Sequence, residues 1–298
     1  MQLLAPSNWK EYELIDSGNF EKLERFGSRI VARPEPQAIW DKCLSDNEWK
    51  RMADAYFIKG KSSKSDFTSD NERGEWKLKP GIKEQWFIDY SYKEMHLKFR
   101  LGLTSFKHIG IFPEQASNWN FIYDTIKGLN INGAKVLNLF AYTGGASLAA
   151  KAAGAEVTHL DSVKQVVNWA RENMEASKLN DIRWIIDDAV KFVSREARRG
   201  NRYNGIILDP PAYGRGPEGE KWILEEGINS LLKSCNQILE SKNCFVVLNL
   251  YSMGFSALVA ESIMKSVFDA NKPDIGELYL MDKNSRKLPL SVFARFIR

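Results

Sequence analysis

The sequence predicts an α/β protein, with a doubly wound, mostly parallel seven-stranded sheet that ends in an antiparallel C-terminal strand pair. A small β-rich domain precedes it. Three observations carry this expectation. From about residue 114, short apolar runs alternate with amphipathic stretches of helix length, a pattern that implies βαβ units and a parallel sheet. The last two strand-like runs have no helix between them, which calls for antiparallel pairing. Before residue 105 the texture differs: Trp9, Trp40, Trp49, Trp76 and Trp86, with Trp119 just beyond, accompany short strand-like pieces. The expected division is 1–105 for an accessory unit and 106–298 for the larger one.

In the first unit, Arg29–Ala32 and Trp76–Leu78 read as strands. Trp86–Tyr92 and His96–Leu103 alternate in polarity and are joined by Lys93-Glu94, the pattern of a hairpin. Asp46–Lys59 reads as one helix capped by an aspartate, with Trp49, Met52, Ala53 and Tyr56 at helical spacing. The polar stretch Gly60–Gly74 reads as a loop. The second unit opens with a helix over Glu114–Lys127. It continues with strand Val136–Phe140, helix Gly145–Ala153, strand Glu156–Leu160, helix Ser162–Lys178 and strand Ile182–Ile186. Helix Ala189–Arg199, strand Gly205–Leu208, helix Lys221–Glu240 and strand Cys244–Leu250 follow. A helix over Ser256–Asn271 leads to strands near Gly276–Met281 and Ser291–Ile297.

Composition bounds the function. The 298 residues are 44% hydrophobic and 27% charged, an ordinary globular mixture. No apolar run approaches the ~18 residues of a membrane span, and Met1–Lys10 lacks a secretory pattern. Three cysteines, Cys43, Cys235 and Cys244, show no CxxC spacing, so a disulfide framework or zinc site is not expected and the cytoplasm is. His96, His108 and His159 share no metal-ligand spacing, so no metal is expected. The net charge of +4 is spread along the chain; it permits a phosphate-bearing partner without announcing one. No period of about 20–50 residues repeats, which excludes solenoids and propellers.

In an open α/β sheet, ligands bind beyond the carboxyl ends of the strands. There the first strand runs into Phe140-Ala-Tyr-Thr-Gly-Gly145, with Tyr142, Thr143 and Gly144 inside it. Two adjacent glycines allow close approach of a ligand, or serve helix–strand packing; the spacing is not GxGxxG. The second strand ends at Asp161, a position from which a carboxylate accepts both hydroxyls of a ribose, or caps the next helix, and the two roles are compatible. The third ends in Asp187-Asp188, either of which accepts an adenine amine or caps a helix. The fourth ends in Asp209-Pro210-Pro211-Ala212-Tyr213. Two prolines fix the backbone there, and an acid beside an aromatic is an odd choice for a simple turn.

On these residues the chain resembles class I S-adenosylmethionine-dependent methyltransferases, a Rossmann-like fold. It is most similar to the bacterial 23S rRNA large-subunit group that modifies cytosine carbon 5 or guanine nitrogen 7. The similarity covers residues 107–298, through VLNLFAYTGG (136–145), Asp161 with Trp169–Asn173, Asp187-Asp188 and DPPAY (209–213). Lys107–Gln115 is similar to the segment those enzymes fold over the methionine end of the cofactor. The resemblance implies S-adenosyl-L-methionine as cofactor. It places Gln115, Phe140, Tyr142, Thr143 and Gly144 on the methionine part, Asp161 on the ribose, Ser162 and Val163 beside the adenine ring, and Asp188 on the adenine amine, with Asp187 the alternative. It further implies that Asp209, Pro210 and Pro211 face a target base on which Tyr213 stacks, with ribosomal RNA as partner.

The chain departs from its cytosine-modifying relatives at one place. Attack on a pyrimidine carbon needs a thiolate, and those enzymes carry it after the fifth strand; here that stretch is Leu248-Asn-Leu-Tyr-Ser-Met-Gly254. Cys244 stands at the wrong end of the strand and Cys235 lies in a helix, so both are expected in the core. A nitrogen acceptor, which needs no covalent intermediate, is therefore preferred. DPPAY also differs by one residue from the [DN]PP[YFW] motif of exocyclic-amine enzymes. A protein or small-molecule acceptor is the alternative. Two further rivals are a nicotinamide oxidoreductase, against which the missing GxGxxG counts, and a non-catalytic RNA-binding protein, against which the intact Asp161, Asp188 and Asp209 count. The basic runs Lys59–Lys64 and Arg195–Arg202 and the N-terminal tryptophans offer RNA contacts, but a solvated helix end is the preferred reading of Arg195–Arg202 and core packing that of the tryptophans.

Overall fold

The computed structural model describes residues 1–7, 9–60, 73–129, 131–250 and 254–298. The chain begins with β1 (Gln2–Leu4), then builds a five-stranded sheet in the order β2 (Tyr12–Gly18), β3 (Glu21–Phe26), β4 (Arg29–Pro34), β5 (Ala55–Lys59) and β6 (Gly74–Leu78). Helix α1 (Asp46–Met52) connects β4 to β5. The expected helix over Asp46–Lys59 thus stops early. Its cap is Ser45, which forms a capping box with Glu48, and Ala53 turns the backbone to an extended conformation. The aromatic and β-branched run Tyr56-Phe57-Ile58 then pairs antiparallel with β6, and Phe57 packs edge-on against Trp76 at 5.2 Å. Strands β2 and β3 escape a reading by periodicity because a bulge between Leu14 and Asp16 breaks the alternation and several of their buried residues are charged.

Those charges are partnered. Arg33 binds Glu24 through two nitrogens, at 2.6 and 3.1 Å, and the Tyr12 hydroxyl donates to the same carboxylate at 2.9 Å. Trp49 is buried and donates to Asp16, while the indoles of Trp9, Trp40, Trp76 and Trp86 each donate to a backbone carbonyl. The N-terminal tryptophans are framework residues. The expected hairpin forms as β7 (Gln85–Tyr92) and β8 (Met95–Gly102).

A 3-10 turn (Pro113–Gln115) and α2 (Ala116–Leu129) lead into the large sheet. Its remaining elements are β9 (Lys135–Leu139), α3 (Gly145–Ala152), β10 (Glu156–Asp161), α4 (Lys164–Ala176), β11 (Ile182–Ile186), α5 (Ala189–Arg198) and β12 (Gly205–Leu208). A short hairpin, β13 (Tyr213–Arg215) and β14 (Lys221–Ile223), precedes α6 (Leu224–Ile238), β15 (Phe245–Leu250), α7 (Ala257–Phe268), β16 (Asp274–Met281) and β17 (Lys287–Ile297). The expected helix from Lys221 therefore begins at Leu224, since Lys221–Ile223 pairs with β13.

The spatial order is β1-β16-β17-β15-β12-β9-β10-β11. β9, β10, β11, β12 and β15 run parallel, and β17 is antiparallel to both β15 and β16. The doubly wound sheet with its reversed strand is as expected, but β1 adds an eighth strand, parallel to β16. Gly276 admits it: a Cβ there would lie 1.9 Å from the Gln2 carbonyl oxygen.

One buried cluster runs from Trp9, Tyr12 and Phe26 through Phe99 and Trp119 to Val136 and Phe245, joining the small sheet to one face of the large one. Hairpin strand β8 is tied to α4: the Asn173 side chain accepts from Arg100 N at 2.7 Å, and Trp169 Nε1 donates to the Arg100 carbonyl at 2.8 Å.

Candidate active site

A cavity lies at the carboxyl ends of β9, β12 and β15, closed on its other side by the 3-10 turn and α2. Its floor is the turn after β9. Phe140, Tyr142 and Gly144 adopt left-handed backbone angles (φ 54°, 48° and 92°), an arrangement that costs about 1–2 kcal/mol at each non-glycine residue and needs external support. The support is present: Tyr142 N donates to Asp161 at 2.9 Å, Thr143 Oγ1 to the Gly110 carbonyl at 2.7 Å, and Asn173 Nδ2 to the Thr143 carbonyl at 2.9 Å. A Cβ on Gly145 would stand 2.6 Å from the Trp119 indole, so glycine lets α3 begin against the α2 wall. Beneath the turn, Asn138 donates to Ser147, which bonds His159 Nδ1; burial drives the His159 pKa down to about 3 and keeps it neutral.

Asp161 closes β10, and its second oxygen accepts from Val163 N at 3.0 Å. Burial raises its pKa, and these backbone donors hold the rise in check. Val163 at the start of α4, Ile186 at the end of β11 and Val190 in the first turn of α5 are exposed apolar side chains. Asp188 caps α5 by accepting from Lys191 N at 2.9 Å, whereas Asp187 pairs with Arg195.

Asp209 ends β12 inside the cavity. Burial raises its pKa to about 6, partly offset by a 2.6 Å bond from Asn249 Nδ2, and Asn249 is held in turn by Ser291 at 3.0 Å. Beyond it Pro210 is buried, Pro211 is exposed, and Tyr213 is 52% exposed at the start of β13. Trp222 on β14 braces this segment: Nε1 donates to the Pro211 carbonyl at 2.8 Å and its ring packs on Phe140 at 5.0 Å. Within the 3-10 turn, Glu114 is buried. Desolvation raises its pKa to about 7, Lys22 and Arg33 lower it, and Asp209 raises it.

Six of the expected residues, Gln115, Phe140, Tyr142, Thr143, Gly144 and Asp209, meet around one cavity. Asp161, Ser162 and Asp188 stand at the adjoining strand ends rather than in its wall, and Pro210, Pro211 and Tyr213 continue from Asp209 outward. S-adenosylmethionine suits this layout. The site offers a turn of exposed backbone, a carboxylate at the end of β10 and exposed apolar side chains nearby, the mixture of polar and apolar surface that a nucleoside-bearing cofactor needs. Among the described residues no group of three or more His, Cys, Asp or Glu is placed to hold a metal ion.

The family model for S-adenosylmethionine-dependent methyltransferases matches residues 75–266. This chain belongs to that family. A crystal structure of the SAM-dependent methyltransferase from Agrobacterium tumefaciens superposes on this methyltransferase with a TM-score of 0.88 at 37% identity, covering 100% of this chain and 93% of that one. The ribosomal RNA large subunit methyltransferase K/L of Shewanella frigidimarina is 30% identical over 167 residues, 52% of this chain and 22% of its own length. Its namesake in Pseudoalteromonas atlantica is 30% identical over 145 residues, 48% of this chain and 20% of its own. The methyltransferase thus aligns with about a fifth of the length of these two curated relatives.

Several residues of the site escape a reading for motifs: Glu114, Asn118, Asn249, Ser291 and Trp222. Asn249 carries a usable signal, an amide within the apolar run FVVLNL of a fully buried strand; a buried polar side chain there needs a partner, and the partner is Asp209. Of the cysteines, Cys235 and Cys244 are buried in the core, and burial raises both thiols away from thiolate character. Among residues 248–254, Tyr251, Ser252 and Met253 lie outside the described residues, as does most of the basic run Lys59–Lys64. Arg195 and Arg199, in the other basic run, pair with Asp187 and Glu196 at the end of α5.

Proposed function

We propose that this methyltransferase modifies a nitrogen of a base in ribosomal RNA. The observation that carries the proposal is Asp209: a carboxylate raised to about 6, oriented by Asn249, at the inner end of a segment whose prolines and exposed Tyr213 lead outward from the cavity. Bound S-adenosylmethionine supplies an electrophilic methyl group. The residues of the chain then position the acceptor, because an in-line displacement needs alignment and little else from the protein. At neutral pH Asp209 is ionised and accepts the N–H of the base nitrogen. On methylation of that nitrogen, the proton it loses would pass to an Asp209 oxygen and on to solvent. Pro211 holds the backbone open toward the base, and Tyr213 stacks on it as base-flipping enzymes stack an extruded base. Residues Gln115, Phe140, Tyr142, Thr143 and Gly144 take the methionine end of the cofactor, Asp161 the ribose, Ser162 the edge of the adenine, and Asp188 the adenine amine through the oxygen not used in capping.

A nitrogen acceptor is favoured over a pyrimidine carbon because the two core cysteines stand away from Asp209 and the 248–254 stretch contains none. The relatives' names favour ribosomal RNA. Residues 1–105 would serve as an accessory unit and 106–298 as the catalytic unit, working in the cytoplasm; among the described residues no helix is long and apolar enough to cross a membrane. The test is methyl transfer from labelled S-adenosylmethionine to RNA, protein and metabolite fractions of a strain lacking the gene. Label in large-subunit RNA, at a nitrogen after nucleoside digestion, is expected, and label confined to protein or metabolites would refute the reading. Asp209→Ala should abolish transfer while cofactor affinity stays within about threefold.

A further inference from the structure

Strand β17 presents Ser291 and Arg295 on one face, because alternate residues of a strand point the same way. Ser291 holds Asn249, as described. Arg295 reaches the other side of the cavity: its Nη1 donates to Asn118 Oδ1 at 3.4 Å. The arginine is 7% exposed, with its guanidinium 4.0 Å from the Phe121 ring and 4.8 Å from the Phe293 ring. Its nearest carboxylate oxygen, on Asp274, lies 3.9 Å from Nε. Burial lowers the Arg295 pKa to about 10, which leaves it charged at neutral pH.

A guanidinium has donors and no acceptor. Asn118 must therefore turn its carbonyl oxygen toward Arg295 and its amide nitrogen away. That nitrogen donates to Gln115 Oε1 at 2.9 Å. With its oxygen engaged, Gln115 is left to show the cavity its NH₂ group, and both Gln115 and Asn118 line the cavity wall. The order of donors and acceptors in this chain of three side chains is dictated from its buried, charged end.

The methionine end of S-adenosylmethionine carries one ammonium and one carboxylate. An amide that offers only N–H to the cavity suits the carboxylate and excludes the ammonium. We propose that Arg295 is a positioning residue which, through Asn118, fixes Gln115 as a hydrogen-bond donor to the cofactor carboxylate. The proposal rests on the placement of Gln115 at the methionine end given above.

Isothermal titration with S-adenosylmethionine and with its decarboxylated analogue, which lacks only that carboxylate, tests it. Arg295→Met should weaken binding of S-adenosylmethionine about tenfold and leave the analogue within about twofold, the loss appropriate to one hydrogen bond to a charged group. Asn118→Leu, which leaves Arg295 stacked on Phe121 and Phe293, should do the same, so the test stands even where the arginine variant fails to fold. Arg295→Lys, which keeps a charged donor, should recover part of the loss. Equal weakening of both ligands, or no weakening of either, overturns the relay. Gln115→Ala separates the two claims. If it keeps the wild-type preference for the carboxylate, the placement of Gln115 is wrong; if it loses the preference while the other variants keep it, only the relay is wrong.

Discussion

Asp209 is held between two opposing influences. Burial favours its neutral form and the Asn249 amide favours its ionised one, and the balance near 6 leaves a carboxylate at neutral pH that is basic enough to take a proton. Its working form is the ionised one, so kcat/KM should rise as pH increases through about 6 and level above it. Asn249→Leu removes the donor that stabilises the charge, raises the Asp209 pKa and moves this limb to higher pH. A pH–rate profile of the two enzymes checks the direction; an unmoved limb would assign the titration to another group. DPPAY is legible as a motif because its prolines and acid stand together in the chain. Asn249, 40 residues away, is not, since only the register of β12 against β15 brings it to Asp209.

The β13–β14 hairpin shows how an element works through one side chain. Trp222 donates to the Pro211 carbonyl and lies against Phe140, so it links the turn after β9 to the Pro210-Pro211 segment after β12. Trp222→Phe keeps a ring at that place and deletes the donor. It should lower kcat about tenfold, through a mobile Pro211, with little change in cofactor affinity; a parallel loss of cofactor affinity would show that the ring, rather than the hydrogen bond, matters. The sequence hid this hairpin inside a helix expected from Lys221, because Trp222, Ile223, Leu224 and Ile228 are apolar at spacings a helix also uses. The helix expected over Asp46–Lys59 failed for the same reason at Ala53. Where an apolar run is short, the choice between strand and helix belongs to the partner strand, which local periodicity cannot see.

Across the whole molecule the two sheets meet around buried charge. Glu114 sits between Lys22 and Arg33 of the small sheet and Asp209 of the large one, and burial lifts its pKa from the ordinary 4.5 to about 7. The folded state therefore binds a proton that the unfolded chain releases between these values. The Glu114 contribution to stability is full below about pH 4.5, declines as pH rises, and is spent by about 7, a change of at most about 3 kcal/mol. Glu114→Gln lacks this dependence. Its melting temperature relative to the native protein should increase between pH 5 and pH 7.5, as differential scanning calorimetry would show; a constant difference would mean that Glu114 is ionised throughout. The βαβ order and the strand-end acids were legible from pattern alone. The small sheet was legible only in part, because β2 and β3 earn their place through ion pairs rather than apolar alternation.

The chain leaves the large sheet after β1, builds the small sheet, and rejoins the catalytic body through the β7–β8 hairpin that α4 grips. Arg286 adds a clasp from the β16–β17 turn to Asp16 and the Ser17 carbonyl of β2. A domain hung on one linker swings like an arm and finds its target by search. One pinned at both ends and clasped between them is a ruler. Here the small sheet is held at one constant distance from the cavity, so its surface does not move relative to whatever the cavity holds.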